Sequence, residues 1–134
     1  MSEDDSVSDF AGTMPEAYRK VFDSKAIAEH AAIVSRRGER RLHIERWRTL
    51  PNGLVVVCMV APDRAGLLSA LSMALARHNL AIVSAQIYTS KAESSDPEAV
   101  DFFWLDVGDR PEATVDTLLQ QIETLAGEQL AETT

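Results

Sequence analysis

Leu54-Val55-Val56-Val57-Cys58-Met59-Val60, followed without a break by Ala61-Pro62-Asp63-Arg64-Ala65-Gly66-Leu67-Leu68, is the stretch that decides the fold. Seven successive apolar residues, rich in β-branched side chains and too short for a lone helix, predict a strand buried on both faces. The polar turn after them predicts a change of direction and the start of a helix. A glycine beside a helix start lets another molecule approach the backbone, and the unpaired N–H groups there attract an anion. This turn is the candidate small-molecule site, and nothing in the sequence reads as a catalytic centre.

Upstream, Leu42 and Ile44 alternate with His43 and Glu45, and Trp47 follows, which predicts a strand over 41–48. Pro51-Asn52-Gly53 is turn chemistry, so strands 41–48 and 54–60 form a hairpin. Downstream, a helix spans about 64–78, with Asp63 as N-cap and Leu67, Leu71, Ala74 and Leu75 facing one way. Asn79 suits the left-handed closing position. Residues 81–90 form a strand with Val83, Ala85 and Ile87 on one face, and 91–99 a polar loop. Residues 100–107 form another strand, with Phe103, Leu105 and Val107 on one face. Asp109-Arg110-Pro111-Glu112 resembles a capping box, and the helix after it carries Val115, Leu118, Leu119, Ile122 and Leu125 to a stop at Gly127. Residues 128–134 read as a frayed tail.

Residues 1–12 are polar, acidic and aperiodic, which predicts a disordered arm. Residues 13–38 read as a helical extension. Thr13-Met14-Pro15-Glu16 has the form of a capping box before a short helix, and a second helix runs from Ser24 to Arg37. Ile27, Ala31 and Val34 form its apolar stripe, and Gly38 ends it.

The 134 residues suit one domain with a real core, and an apolar fraction of 46% with 25% charged residues is ordinary for a globular protein. No apolar run is long enough to cross a membrane, and the acidic start is unlike a signal peptide. A single cysteine, Cys58, excludes an internal disulfide and reads as a buried small hydrophobe, which fits a cytoplasmic protein. The net charge of −8 argues against nucleic-acid binding. Arg36, Arg37, Arg40, Arg41, Arg46 and Arg48 cluster nonetheless, as a solvated face or as a contact for an acidic protein partner. His30, His43 and His78 share no ligand spacing, so neither a metal nor a cofactor is expected.

From residue 41 the predicted order is β-β-α-β-β-α, and two amphipathic helices cover only one face of a four-stranded sheet. That face takes Val83, Ala85, Ile87, Phe103, Leu105 and Val107. The other face carries Ile82, Tyr88, Phe102 and Trp104, and so large an apolar surface needs a cover. A second copy of the chain and the folded-back helix 24–37 are the two candidates. Tyr88, Phe102 and Trp104 are therefore interface candidates, and a homodimer is expected.

The loop Ala61–Leu68, with Ala76-Arg77-His78-Asn79-Leu80 and Ala85-Gln86-Ile87-Tyr88-Thr89-Ser90-Lys91, resembles the ACT domain, a regulatory ligand-binding module of ferredoxin-like fold. The last two blocks are most similar to the first ACT domain of the bacterial uridylyltransferases that modify the PII nitrogen-regulatory protein. Met14-Pro15-Glu16-Ala17-Tyr18 and Ile27-Ala28-Glu29-His30-Ala31 are similar to the segment before that domain. The resemblance implies an α+β fold for about 39–127: a four-stranded antiparallel sheet with two helices on one face, after an N-terminal helical extension. It implies an amino-acid ligand, glutamine first, lined by Asp63, Arg64, Ala65, Gly66 and Leu67, with Asn79 and Ile82 approaching from the adjoining segment. Two departures stand out. Ala65 replaces a common proline, and no sequence remains for the usual fourth strand after the second helix, whose edge position strand 41–48 takes instead. The transferase's catalytic motifs are absent, so the expected function is non-catalytic and regulatory, linked to nitrogen or amino-acid metabolism. The alternative is a ligand-free interaction or dimerisation module.

Overall fold

The hairpin forms as β1 (His43–Leu50) and β2 (Leu54–Pro62) in a computed structural model that describes residues 3–91 and 96–132. Part of the predicted polar loop, 92–95, and the last two residues of the predicted tail lie outside the described residues. The pair is antiparallel, from Leu50 opposite Leu54 to His43 opposite Val60. Asn52 and Gly53 both turn with positive φ, 67° and 73°. Only glycine fits at 53, because a Cβ there would stand 2.7 Å from the Gly108 carbonyl oxygen. β3 (Ala81–Ser90) and β4 (Glu98–Asp106) complete an antiparallel sheet of order β1-β2-β4-β3. β1 thus holds the edge beside β2, as expected for strand 41–48.

β2 is buried on both faces because a layer lies on each side. Val55, Val57, Met59 and Ala61, with Phe103 and Leu105 of β4, pack under α4 (Leu67–Arg77) and α5 (Glu112–Glu132) in an aliphatic core. Leu67, Ala70, Leu71, Ala74 and Leu75 bury the predicted face of α4, and Asn79 closes it at φ 56°. Val115, Leu119, Ile122, Ala126 and Leu130 continue one stripe along α5. The helix therefore runs past Gly127 to Glu132 instead of stopping and fraying. Leu130 supplies another turn of burial, while Arg41 and Arg64 donate to the Gly127 and Leu130 carbonyls near the helix end.

Val56, Cys58 and Val60 of β2, with Val100 and Phe102 of β4, point to the opposite layer. That layer is the chain's own N-terminus: α1 (Glu3–Thr13), α2 (Glu16–Val21) and α3 (Ser24–Arg36). Three expectations change here. Residues 3–12 are helical rather than a disordered arm, because Phe10 meets Tyr18 edge-on and packs against this core. The Thr13 capping box does not form; the Thr13 hydroxyl donates to the Phe10 carbonyl and accepts from Ser90. The buried face of α3 is Ala26, His30 and Ile33, one residue before the predicted stripe, whose Ile27, Ala31 and Val34 are half-buried. Asp23 caps α3 through the Ala26 N–H at 2.8 Å.

The interface assignment changes with the cover. Phe102 is fully buried under the N-terminal helices, and Tyr88 and Trp104 are half-buried against the same core. None of the three is left bare for a second copy. β3 differs from its reading in another way. A register shift between Ile82 and Ser84 sets Ile82 opposite Leu105, on the α4–α5 side of the sheet, and not with Phe102. Val83, Ala85 and Ile87 stay exposed because the helices sit over the rest of the sheet.

Candidate functional site

The turn after β2 is held by bonds other than a helix cap. Asp63 does not cap α4: its N–H donates to the Pro97 carbonyl at 3.0 Å, and its carboxylate accepts from the Thr89 hydroxyl at 3.2 Å. Gly66 holds the N-cap position at φ 86°, in the left-handed region. The first turn of α4 begins beyond it, with the Ala70 N–H donating to the Gly66 carbonyl at 2.9 Å. The amides of Leu68 and Ser69 precede that bond and have no helical carbonyl to pair with. A Cβ on Gly66 would meet nothing within 4 Å, so the approach to these amides is open.

A cleft of about 250 Å³ lies against this turn. Asp63, Arg64, Gly66 and Leu67, four of the residues expected to line a ligand, lie along it. Ala65 is exposed in the same turn but does not line it. Asn79 and Ile82 do not line it either. Asn79 closes the far end of α4, and Ile82 lies at the far end of β3 from the Ile87–Thr89 segment that forms one wall.

Asp101 completes the cleft, and sequence reasoning missed it. It shares the β4 face of Ala99, Phe103 and Leu105, yet it is an acid and only 1% exposed. One carboxylate oxygen accepts the Tyr88 N–H at 3.2 Å; the other has no hydrogen-bond partner among the described residues. Burial, with the nearby Asp63 carboxylate, raises its pKa from the usual carboxylate range to about 7, against the lowering effect of the Tyr88 amide. The signal was present in the alternation Asp101, Phe103, Leu105: an acid in a row of core residues.

The arginine cluster resolves differently. Arg36 pairs with Glu45, Arg37 with Glu98, Arg40 with Glu123, and Arg48 with Glu29. Arg46 forks onto Asp116 at 2.8 and 3.0 Å and reaches Glu112 at 2.6 Å. Hydrogen bonding to Asp116 raises the Arg46 pKa and lowers that of Asp116. A wider cleft of about 680 Å³ includes Arg37, Arg40, Arg41 and Arg64, but their guanidiniums bond to the chain's own carboxylates and carbonyls. Five of the six clustered arginines thus find carboxylates within the molecule, and Arg41 donates to the Gly127 carbonyl.

Cys58 is fully buried, and burial pushes its thiol above the ordinary range, which leaves it inert. Among the described residues no His, Cys, Asp and Glu side chains gather into a metal-binding group, and no helix is long and apolar enough to cross a membrane. Comparison with known proteins gives one family: the ACT domain profile matches residues 55–127, more than half of the chain, from β2 into α5. No curated protein matches the chain at a significant level.

Proposed function

The chain belongs to the ACT domain family, and on that premise we propose that it is a non-catalytic regulatory protein that binds an amino acid in the cleft beside the Asp63–Leu68 turn. ACT domains are regulatory and generally bind small molecules such as amino acids. The observation that carries the reading is the pairing of opposite chemistries in one small cleft. The open N-terminus of α4 offers amide N–H groups and a positive dipole end to a carboxylate. Asp63 and Asp101 offer acceptors to an ammonium. A cleft of about 250 Å³ suits a single amino acid better than a peptide or nucleotide.

Glutamine is the first ligand to test, because of the likeness to the uridylyltransferase ACT domain, which also motivates a role in nitrogen or amino-acid metabolism. A homodimer belongs to the same proposal, now at a different surface. ACT domains often dimerise, and β3 is an open edge on which Ile82, Val83 and Ile87 are exposed, Ile87 on the same cleft as the exposed Leu68 of α4. Edge pairing there sets the cleft next to the second copy.

A thermal-shift screen of the twenty standard amino acids, with light scattering on the same samples, tests both parts. The reading expects one or a few amino acids to raise the melting temperature in proportion to concentration. A dimer with no response to any amino acid supports the ligand-free dimerisation module in its place. A monomer with no response overturns both.

A further inference from the structure

We propose that Asp101 is the specificity-determining residue of the cleft: it receives the ligand's ammonium, so that amino acids enter and their deaminated or N-acylated analogues do not. The inference rests on the amino-acid reading of the cleft and adds to it the residue and the chemical selection.

Every other residue on its row of β4, from Ala99 to Leu105, is apolar and packed into the aliphatic core. An acid at this place costs stability unless something compensates it, because a buried carboxylate without a counter-ion loses its hydration. One oxygen is satisfied by the Tyr88 amide, while the other has no partner among the described residues, and the residue lines the cleft. No Lys, Arg or His forms an ion pair with it among the described residues. Arg64, on the same cleft, directs its guanidinium to the Leu130 carbonyl. The remaining groups facing the cleft do not supply a cation either. Asp63 adds negative charge, Thr89 donates to Asp63, Tyr88 donates its hydroxyl to Gln86, and α4 contributes Ser69. The site therefore has an acceptor in need of a positive charge and, at the α4 N-terminus, donors in need of a negative one. A zwitterion brings both.

Proton linkage gives a second readout. A carboxyl titrating at about 7 in the empty cleft must be ionised to hold an ammonium, so binding below that pH releases a proton. Affinity then rises with pH through 7 and levels off above it.

The experiment uses the full chain and whichever standard amino acid binds most tightly at pH 8, glutamine being tried first. Calorimetry at pH 6 and pH 8, in two buffers of different ionisation heat, measures affinity and proton release. The expected fall in affinity is about tenfold from pH 8 to pH 6, the ratio for one group titrating near 7. Asp101→Asn, which keeps the size and the acceptor for Tyr88, is expected to weaken binding at pH 8 at least tenfold and to abolish the proton release. The N-acetyl derivative of the same amino acid is expected not to bind. Binding that is equal in Asp101→Asn, or that releases no proton at pH 6, overturns this inference and leaves the amino-acid site standing. Absence of any amino-acid binding overturns the site itself. If Asp101→Asn does not fold, the wild-type proton count and the N-acetyl comparison decide.

Discussion

Each face of the sheet buries a side chain whose titration falls near neutral or mildly acid pH, His30 on one and Asp101 on the other, and the two are handled in opposite ways. His30 on the α1–α3 side is fully enclosed: its Nδ1 shares a 2.6 Å hydrogen bond with the Tyr18 hydroxyl, and the Trp47 and Phe102 rings stand 4.1 and 4.4 Å away. Its Nε2 has no hydrogen-bond partner among the described residues and is walled in by those rings and Phe22. Asp101 on the α4–α5 side is equally buried but abuts a cleft. An unsatisfied atom sealed among aromatic rings contributes to packing, with at most a weak N–H···π contact as compensation. An unsatisfied oxygen beside an opening is available to a ligand. Burial alone does not separate a structural from a functional polar group; access does.

Removing the cover from one face has the largest expected effect. Deletion of residues 1–38 strips α1 to α3 from Phe102, Val56 and Val60. The truncated chain is expected to aggregate or to lose its cooperative thermal transition, because a contiguous apolar sheet face meets water. A soluble, monomeric truncation with the full-length melting temperature contradicts this.

The two buried groups are expected to act on stability with opposite sign across the same pH range. Burial first of all lowers His30 from 6.5 to about 4, so the unfolded chain binds the extra proton and stability falls as pH drops from about 6.5 to 4. Asp101 is raised from 3.8 to about 7, so the folded chain holds the extra proton and stability falls as pH rises from about 4 to 7. The contribution reaches roughly 3 kcal/mol for His30 and roughly 4 kcal/mol for Asp101. They offset one another in the wild type, and single variants unmask them. In Asp101→Asn, denaturant midpoints should decline toward acid; in His30→Phe they should decline toward neutral pH. Parallel profiles for the two variants contradict the assignment of one titrating group to each face.

How far the sequence foretold these faces follows from which residues carried periodicity. The unbroken run of β2, the Pro51-Asn52-Gly53 turn and the α4 stripe from Leu67 to Leu75 each repeat one signal, and each stands as expected. His30 misled because a polar residue on a helix face reads as solvent-facing, which shifted the α3 stripe by one residue. The bulge after Ile82 inverted the facing of that residue, since period-2 counting has no term for an inserted residue. In the site, Asp63, Gly66 and Leu67 were readable from the turn itself. Asp101 and Thr89 come from other strands, and only tertiary pairing brings them there.

The two edges of the sheet continue the contrast on a smaller scale. Arg46 of β1 ties that edge to Asp116 and Glu112 of α5. Arg46→Ala is expected to cost about 1 kcal/mol or less, since the pairs are partly solvated and screened, and the loss should shrink in high salt. A cost above about 2 kcal/mol assigns the edge a larger role than ion pairing gives. On the other edge, Val83 is exposed and touches no core, so Val83→Lys should change stability by no more than about 0.5 kcal/mol. The same change should shift a β3-paired dimer to monomer in light scattering, because it places charges across the pairing edge.

The hairpin between β1 and β2 also bears on how the chain finds its fold. In the family pattern the edge strand beside β2 arrives last, from beyond the second helix, and its pairing closes a loop as long as the domain. Here the same edge is filled by the preceding segment across a turn of three residues, Pro51 to Gly53. A pairing of nearest neighbours in sequence closes on the microsecond scale, about 1–10 μs, and costs little loop entropy. The longest strand separation left to close is that between β2 and β4, which waits only on α4 and β3. Filling this edge from the adjacent segment keeps the contact order of the sheet low, and so predicts a fast search for the native topology.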